Sequence, residues 1–107
     1  MTTFDQFQAF AARAPISLRN DRDRINLPVL GLQEEAGRIG SLLTRAFESG
    51  RLSLTGSQRA QLKNRLADVL WYVAFVCGET GLAMKDVAAH SIARLDARAN
   101  DFDPDQR

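Results

Sequence analysis

Two stretches decide the fold: Gly31-Leu32-Gln33-Glu34-Glu35-Ala36-Gly37-Arg38-Ile39 and Lys63-Asn64-Arg65-Leu66-Ala67-Asp68-Val69-Leu70-Trp71-Tyr72. Each predicts the middle of a long amphipathic helix, with charged residues one turn apart beside an apolar stripe. Glu34 and Arg38 are i,i+4, and Glu35 and Arg38 are i,i+3, so all three project from neighbouring parts of one face. Arg65 and Asp68 are i,i+3 on the second stretch. If the two helices pack on each other, these five charged side chains converge in one partly buried spot. Burying unpaired charge is expensive, so such a cluster must be internally paired, metal-bound or ligand-bound.

The rest of the chain is also helical in pattern. A first helix starts at Thr3, whose hydroxyl caps the backbone while Gln6 reaches back. Phe4, Phe7, Phe10 or Ala11, and Ala14 recur at helical spacing, and Pro15 ends the run. Residues 16 to 26 are polar and lack apolar periodicity, so a solvated loop is expected there, with an extra helical turn as the alternative. Pro28 suits the first turn of a second helix, which Leu32, Ala36, Ile39, Leu43 and Ala46 carry to about Phe47 before Gly50 stops it. Residues 50 to 57 form a turn. A third helix runs from about Ser57 to Cys77 on Leu62, Leu66, Val69, Val73 and Val76. Leu70 and Ala74 widen this stripe, so burial on much of the circumference is expected. Gly78 and Gly81 bracket its end. A fourth helix, about Met84 to Ala99, uses Val87, Ala88, Ile92 and Leu95, and the acidic, Pro-broken tail after it is expected to fray. Nothing alternates with period 2, so the fold class is all-α: four helices in one domain spanning 1–107, ordered from about 3 to 100.

Composition narrows the function. The net charge is +1, so no global field argues for nucleic acid or an anionic membrane. The basic residues are 12 Arg against 2 Lys, and only 4 of the 13 acids are Glu. Placing two of those four side by side in mid-helix points to a role for Glu34 and Glu35. Cys77 is the only cysteine, which excludes an intramolecular disulfide and a thiolate metal site, and its apolar setting predicts a buried thiol. No signal pattern opens the chain, and no apolar run approaches the roughly 18 residues of a membrane span. A cytoplasmic protein is expected.

These features together resemble the MazG-like all-α nucleoside triphosphate pyrophosphohydrolases. That family's signature is E-E-x-x-E on one helix and E-x-x-D on the next; Glu34-Glu35-Ala36-Gly37-Arg38 and Arg65-Leu66-Ala67-Asp68 fall on these positions. Leu30-Gly31-Leu32 before the acids, Asp68-Val69-Leu70-Trp71-Tyr72 after them, Gly81-Leu82 before the last helix and the opening Phe4-Asp5-Gln6-Phe7-Gln8 are similar too. The resemblance covers about residues 3 to 100. It implies a four-helix MazG-like bundle that assembles as a homodimer or homotetramer, with Mg²⁺ as cofactor. It implies hydrolysis of a nucleoside triphosphate to a monophosphate and pyrophosphate, with Glu34 and Glu35 catalytic and Glu34, Glu35 and Asp68 as metal ligands. Carboxylates are the expected ligands for a hard divalent cation. On the last helix the family's substrate-binding basic residues map to Arg94 and Arg98, with Ser91 departing.

The departure from the signature lies at its centre. Arg38 and Arg65 stand where the family has Glu. Glu34, Glu35 and Asp68 against two arginines leave a local charge of −1, where the family pattern carries five carboxylates. Arginine cannot ligate Mg²⁺ and repels it; a unit charge at about 4 Å is worth roughly 4 kcal/mol even at an effective dielectric near 20. Efficient catalysis is therefore not expected. Three readings remain: residual metal ligands, a self-satisfied ion-pair network, or Arg38 and Arg65 on a substrate phosphate. Function then divides into two classes, a Mg²⁺-dependent pyrophosphohydrolase or a non-catalytic homologue that binds a nucleotide or a protein partner through the same cleft, or serves as a helical assembly module. Elsewhere, Trp71 and Tyr72 suit core or a subunit interface better than base stacking. His90 has no second His or Cys with which to hold a metal.

Overall fold

The computed structural model describes residues 2–13, 21–48, 50 and 53–101. Among these there are four helices and no strand: α1 (Phe4–Arg13), α2 (Asp21–Glu48), α3 (Gly56–Thr80) and α4 (Met84–Asp101). The expected role of Pro15, part of the connector before Asp21 and the tail beyond Asp101 lie outside the described residues.

Local chemistry sets the ends of the elements. Gln6 N–H donates to the Thr3 hydroxyl at 3.1 Å while Thr3 N–H donates to Gln6 Oε1 at 2.9 Å, the reciprocal cap read from the sequence. A second such box, within the stretch expected to form a turn, opens α3: Thr55 caps it and Gln58 reaches back. Gly50 at φ 78° closes the chain after α2, its N–H donating to the Phe47 carbonyl. Gly81 at φ 76° caps α3 in the left-handed conformation that glycine adopts without a Cβ penalty. Gly78 does not end α3 but lies within it.

α2 begins earlier than the polar composition of residues 21–26 suggested, so Pro28 sits inside the helix instead of in its first turn. An interior proline removes one backbone hydrogen bond and costs about 3 kcal/mol in isolation. Tertiary contact compensates here: Pro28 is buried, and Ile25 and Leu32 are half-buried at helical spacing around it. One turn before it, Arg24 pairs with Glu79 of α3 at 3.3 Å.

α2 and α3 form an antiparallel pair. Arg24 meets Glu79, and Glu35 meets Arg65 further along. Between them a Cβ on Gly31 would lie 2.5 Å from the Tyr72 ring. α2 packs only on α3, while α1 packs on α3 and α4. The core lies at one end of α3, where Ala11, Ala74, Cys77 and Met84 are buried and Phe7, Trp71 and Val73 pack against them. Trp71 also stacks on Phe75 with ring centroids 5.5 Å apart. Gln8 joins the elements at this end: its amide accepts from Met84 N–H at 2.9 Å and donates to the Leu82 carbonyl at 2.8 Å. α3 is not buried around much of its circumference, because Leu66 and Leu70 are exposed. The short α1 covers only the C-terminal half of α3.

Two glycines in α2 predict opposite responses to one substitution. Gly31→Ala drives a methyl into Tyr72, and overpacking of about 1–3 kcal/mol outweighs the gain of up to about 1 kcal/mol in helix propensity. Gly40, with nothing within 4 Å of a Cβ, keeps that gain. Urea unfolding should show a lowered midpoint for Gly31→Ala and a raised one for Gly40→Ala. Equal shifts would refute the close approach at Gly31.

Candidate functional site

The antiparallel register brings four of the five central charges together. Glu35 faces α3, and its side chain is 5% exposed. One of its oxygens, Oε1, accepts from Arg38 Nη1 at 2.7 Å and from Arg65 Nη1 at 3.4 Å. The other, Oε2, is buried without a hydrogen-bond partner. Arg38 also donates through Nη2 to Glu34, one turn earlier on the outer side of α2. The Glu35 hydrogen bond raises the Arg38 pKa above its ordinary value; desolvation opposes it, and the charges of Glu34 and Glu35 and the Glu34 hydrogen bond add smaller upward effects. Arg38 thus remains a cation at any working pH.

Asp68 does not join. It lies one turn beyond Arg65 but is exposed, and no ion pair among the described residues includes it. Three residues along a helix turn the side chain by about 60° from alignment, enough for Arg65 to face α2 while Asp68 faces solvent. Arg94 and Arg98 are also elsewhere. They line a cleft on α4 with His90 and Ser91, and α4 makes no contact with α2.

The donor set does not fit the Mg²⁺ that the resemblance implies. Mg²⁺ demands near-octahedral oxygen coordination. Among the described residues Glu35 Oε2 is the one unengaged buried carboxylate oxygen, its partner oxygen already holds two guanidinium groups, and Glu34 is engaged by Arg38. Among the described residues no group of three or more His, Cys, Asp or Glu side chains is gathered as a metal site requires.

Beside the network is an open cleft of about 500 Å³ between α2 and α3, lined by Glu34, Arg38, Ser41, Arg45, Gln61 and Arg65 among others. Arg45 and Ser41 were missed in the sequence, although Arg45 lies two turns from Arg38, at the i+7 spacing of a shared face. Three arginines against Glu34 and Glu35 leave this region with a net charge of +1. Guanidinium forks and hydroxyl and amide donors in a concave setting suit phosphate oxygens.

Comparison of the chain with protein-family models, with curated proteins and with solved structures finds no match.

The network predicts an asymmetric response to mutation. Glu35→Gln removes the charge on which two arginines converge and should cost about 1–3 kcal/mol, lowering Tm by several degrees at roughly 4–8 °C per kcal/mol for a small domain. Arg45→Gln, which breaks no ion pair among the described residues, should leave Tm unchanged. Thermal unfolding followed by circular dichroism checks both, and an unchanged Tm for Glu35→Gln would show that the network contributes nothing to stability.

Proposed function

We propose that the protein is a MazG-like homologue that binds the phosphate groups of a nucleoside triphosphate through arginines, without metal and without hydrolysing them. The observation that carries this reading is the Glu35 carboxylate, with Arg38 and Arg65 beside it where the signature would place metal ligands. Two fixed cations take over the charge-balancing role that a divalent ion has in the related enzymes. Unlike Mg²⁺ they supply no activated water. The three arginines of the adjoining cleft give the polyphosphate its binding surface, and Arg45 is the one whose guanidinium the glutamates do not engage. On this reading the protein works in the cytoplasm, where such nucleotides are found. Among the described residues no single helix is long and apolar enough to cross a membrane.

Thermal shifts and pyrophosphate release together test the proposal. Mg²⁺ or Mn²⁺ alone should leave Tm unchanged. A nucleoside triphosphate in the presence of a chelator should raise stability, by about 2.7 kcal/mol when its concentration is 100 times Kd. Arg45→Gln should remove that rise. Pyrophosphate release that requires metal and disappears in Glu35→Gln would overturn the non-catalytic reading, and absence of any nucleotide shift would overturn phosphate binding.

A further inference from the structure

The polar cleft between α2 and α3 is laid out along a line. Glu34, Arg38, Ser41 and Arg45 follow one another at helical spacing and form a row on one face of α2. From Arg38 to Arg45 the row rises about 10.5 Å at 1.5 Å per residue. Arg65 and Gln61, one turn apart on α3, border the same cleft. Arg38 and Arg65 gather at Glu35 at one end. Arg45 stands at the other end, with the exposed Ser41 between.

The aromatic side chains are placed elsewhere. Phe4, Phe7 and Phe10 belong to α1, which packs on α3 and α4 and not on α2. Trp71 stacks on Phe75 beside the core. Tyr72 lies against Gly31, two turns from Arg65 in the direction away from Arg45. Phe47 follows Arg45 by two residues, which turns it about 200° around α2, and Phe102 is outside the described residues. Among the described residues Leu42 is the one apolar side chain lining the cleft. The side chains best suited to a base edge already have partners: the Gln61 amide donates to the Ser57 hydroxyl at 3.3 Å, and Glu34 accepts from Arg38. A nucleobase is held by stacking or by hydrogen bonds to its edge. The cleft instead offers cations spaced along a line.

We infer that the ligand class of this cleft is the linear polyphosphate, recognised by its phosphate chain alone, so that inorganic tripolyphosphate and a nucleoside triphosphate bind alike. The inference rests on the phosphate-binding reading and narrows it. Arg65 and Arg45 take the two ends of the chain, and Ser41 donates to an oxygen between them. Base and sugar remain in solvent at the open side. A single phosphate reaches one end only, so affinity rises with chain length.

Isothermal titration at fixed ionic strength, without divalent ions, tests this with tripolyphosphate and with ATP, GTP, CTP and UTP. The dissociation constants should agree within about threefold, less than a typical hydrogen bond to a base edge would give. Pyrophosphate and phosphate should bind progressively more weakly, and adenosine should not compete. Arg45→Gln should weaken tripolyphosphate and all four nucleotides by a common factor of about ten. A nucleotide bound more than about tenfold tighter than tripolyphosphate overturns the inference and leaves phosphate binding standing. So does a spread of that size among the four bases, competition by adenosine, or an Arg45→Gln loss confined to nucleotides. If none of these probes binds, the phosphate-binding reading itself fails and the inference falls with it.

Discussion

The Glu35 carboxylate needs cations beside it, and that need shapes the centre of the molecule. A buried carboxylate without a partner would cost several kcal/mol or give up its charge. Arg38 from the same helix and Arg65 from the facing one meet the requirement at a single oxygen. The contribution of Arg38 is local, available as soon as α2 forms. That of Arg65 requires the correct register of α3 against α2, so the pair rewards one alignment of the two helices. Gly31 under Tyr72 and Arg24 on Glu79 favour the same alignment at points nearer the core.

Apolar burial is concentrated elsewhere. Ala11, Ala74, Cys77 and Met84 gather where α1, α3 and the start of α4 meet, and α2 reaches that end only through α3. The α2–α3 pair is therefore held along much of its length by half-buried side chains and ion pairs. This division leaves leucines bare on α3 and an uncovered stripe on α4, and it leaves an open polar cleft between α2 and α3. A larger core would have closed all three.

Features that depend on a few neighbouring residues were legible in the sequence. The Thr3–Gln6 cap, the stop at Gly50 and the pairing capacity of Glu34, Glu35 and Arg38 follow from spacing along one helix. What depends on the rotation of one helix against another was not. Arg65 and Asp68 look equivalent at i,i+3, yet a modest rotation puts one on Glu35 and the other in solvent. The start of α2 was hidden because residues 21–26 carry charges where a stripe was sought, and the Arg24–Glu79 pair that anchors them joins positions far apart in the chain.

On the proposed reading, two guanidinium groups carry the charge that a divalent ion would carry, and this changes what the site can do. A metal ion exchanges its ligands, so it can hold protein carboxylates, substrate oxygens and a reacting water together. Arginines are tethered and only donate; once Arg38 has both glutamates, its donors are largely committed. A ligand entering the cleft must therefore rely on donors the glutamates do not engage, and this favours Arg45 and the outer face of Arg65 over the inner network. The inner network then acts mainly to hold α2 and α3 in register, and on the proposed reading ligand affinity is set one to two turns away. On the proposed reading, stability and binding fall to different arginines of one helix face, so that losing Arg45 and losing the Glu35 charge would have separable consequences.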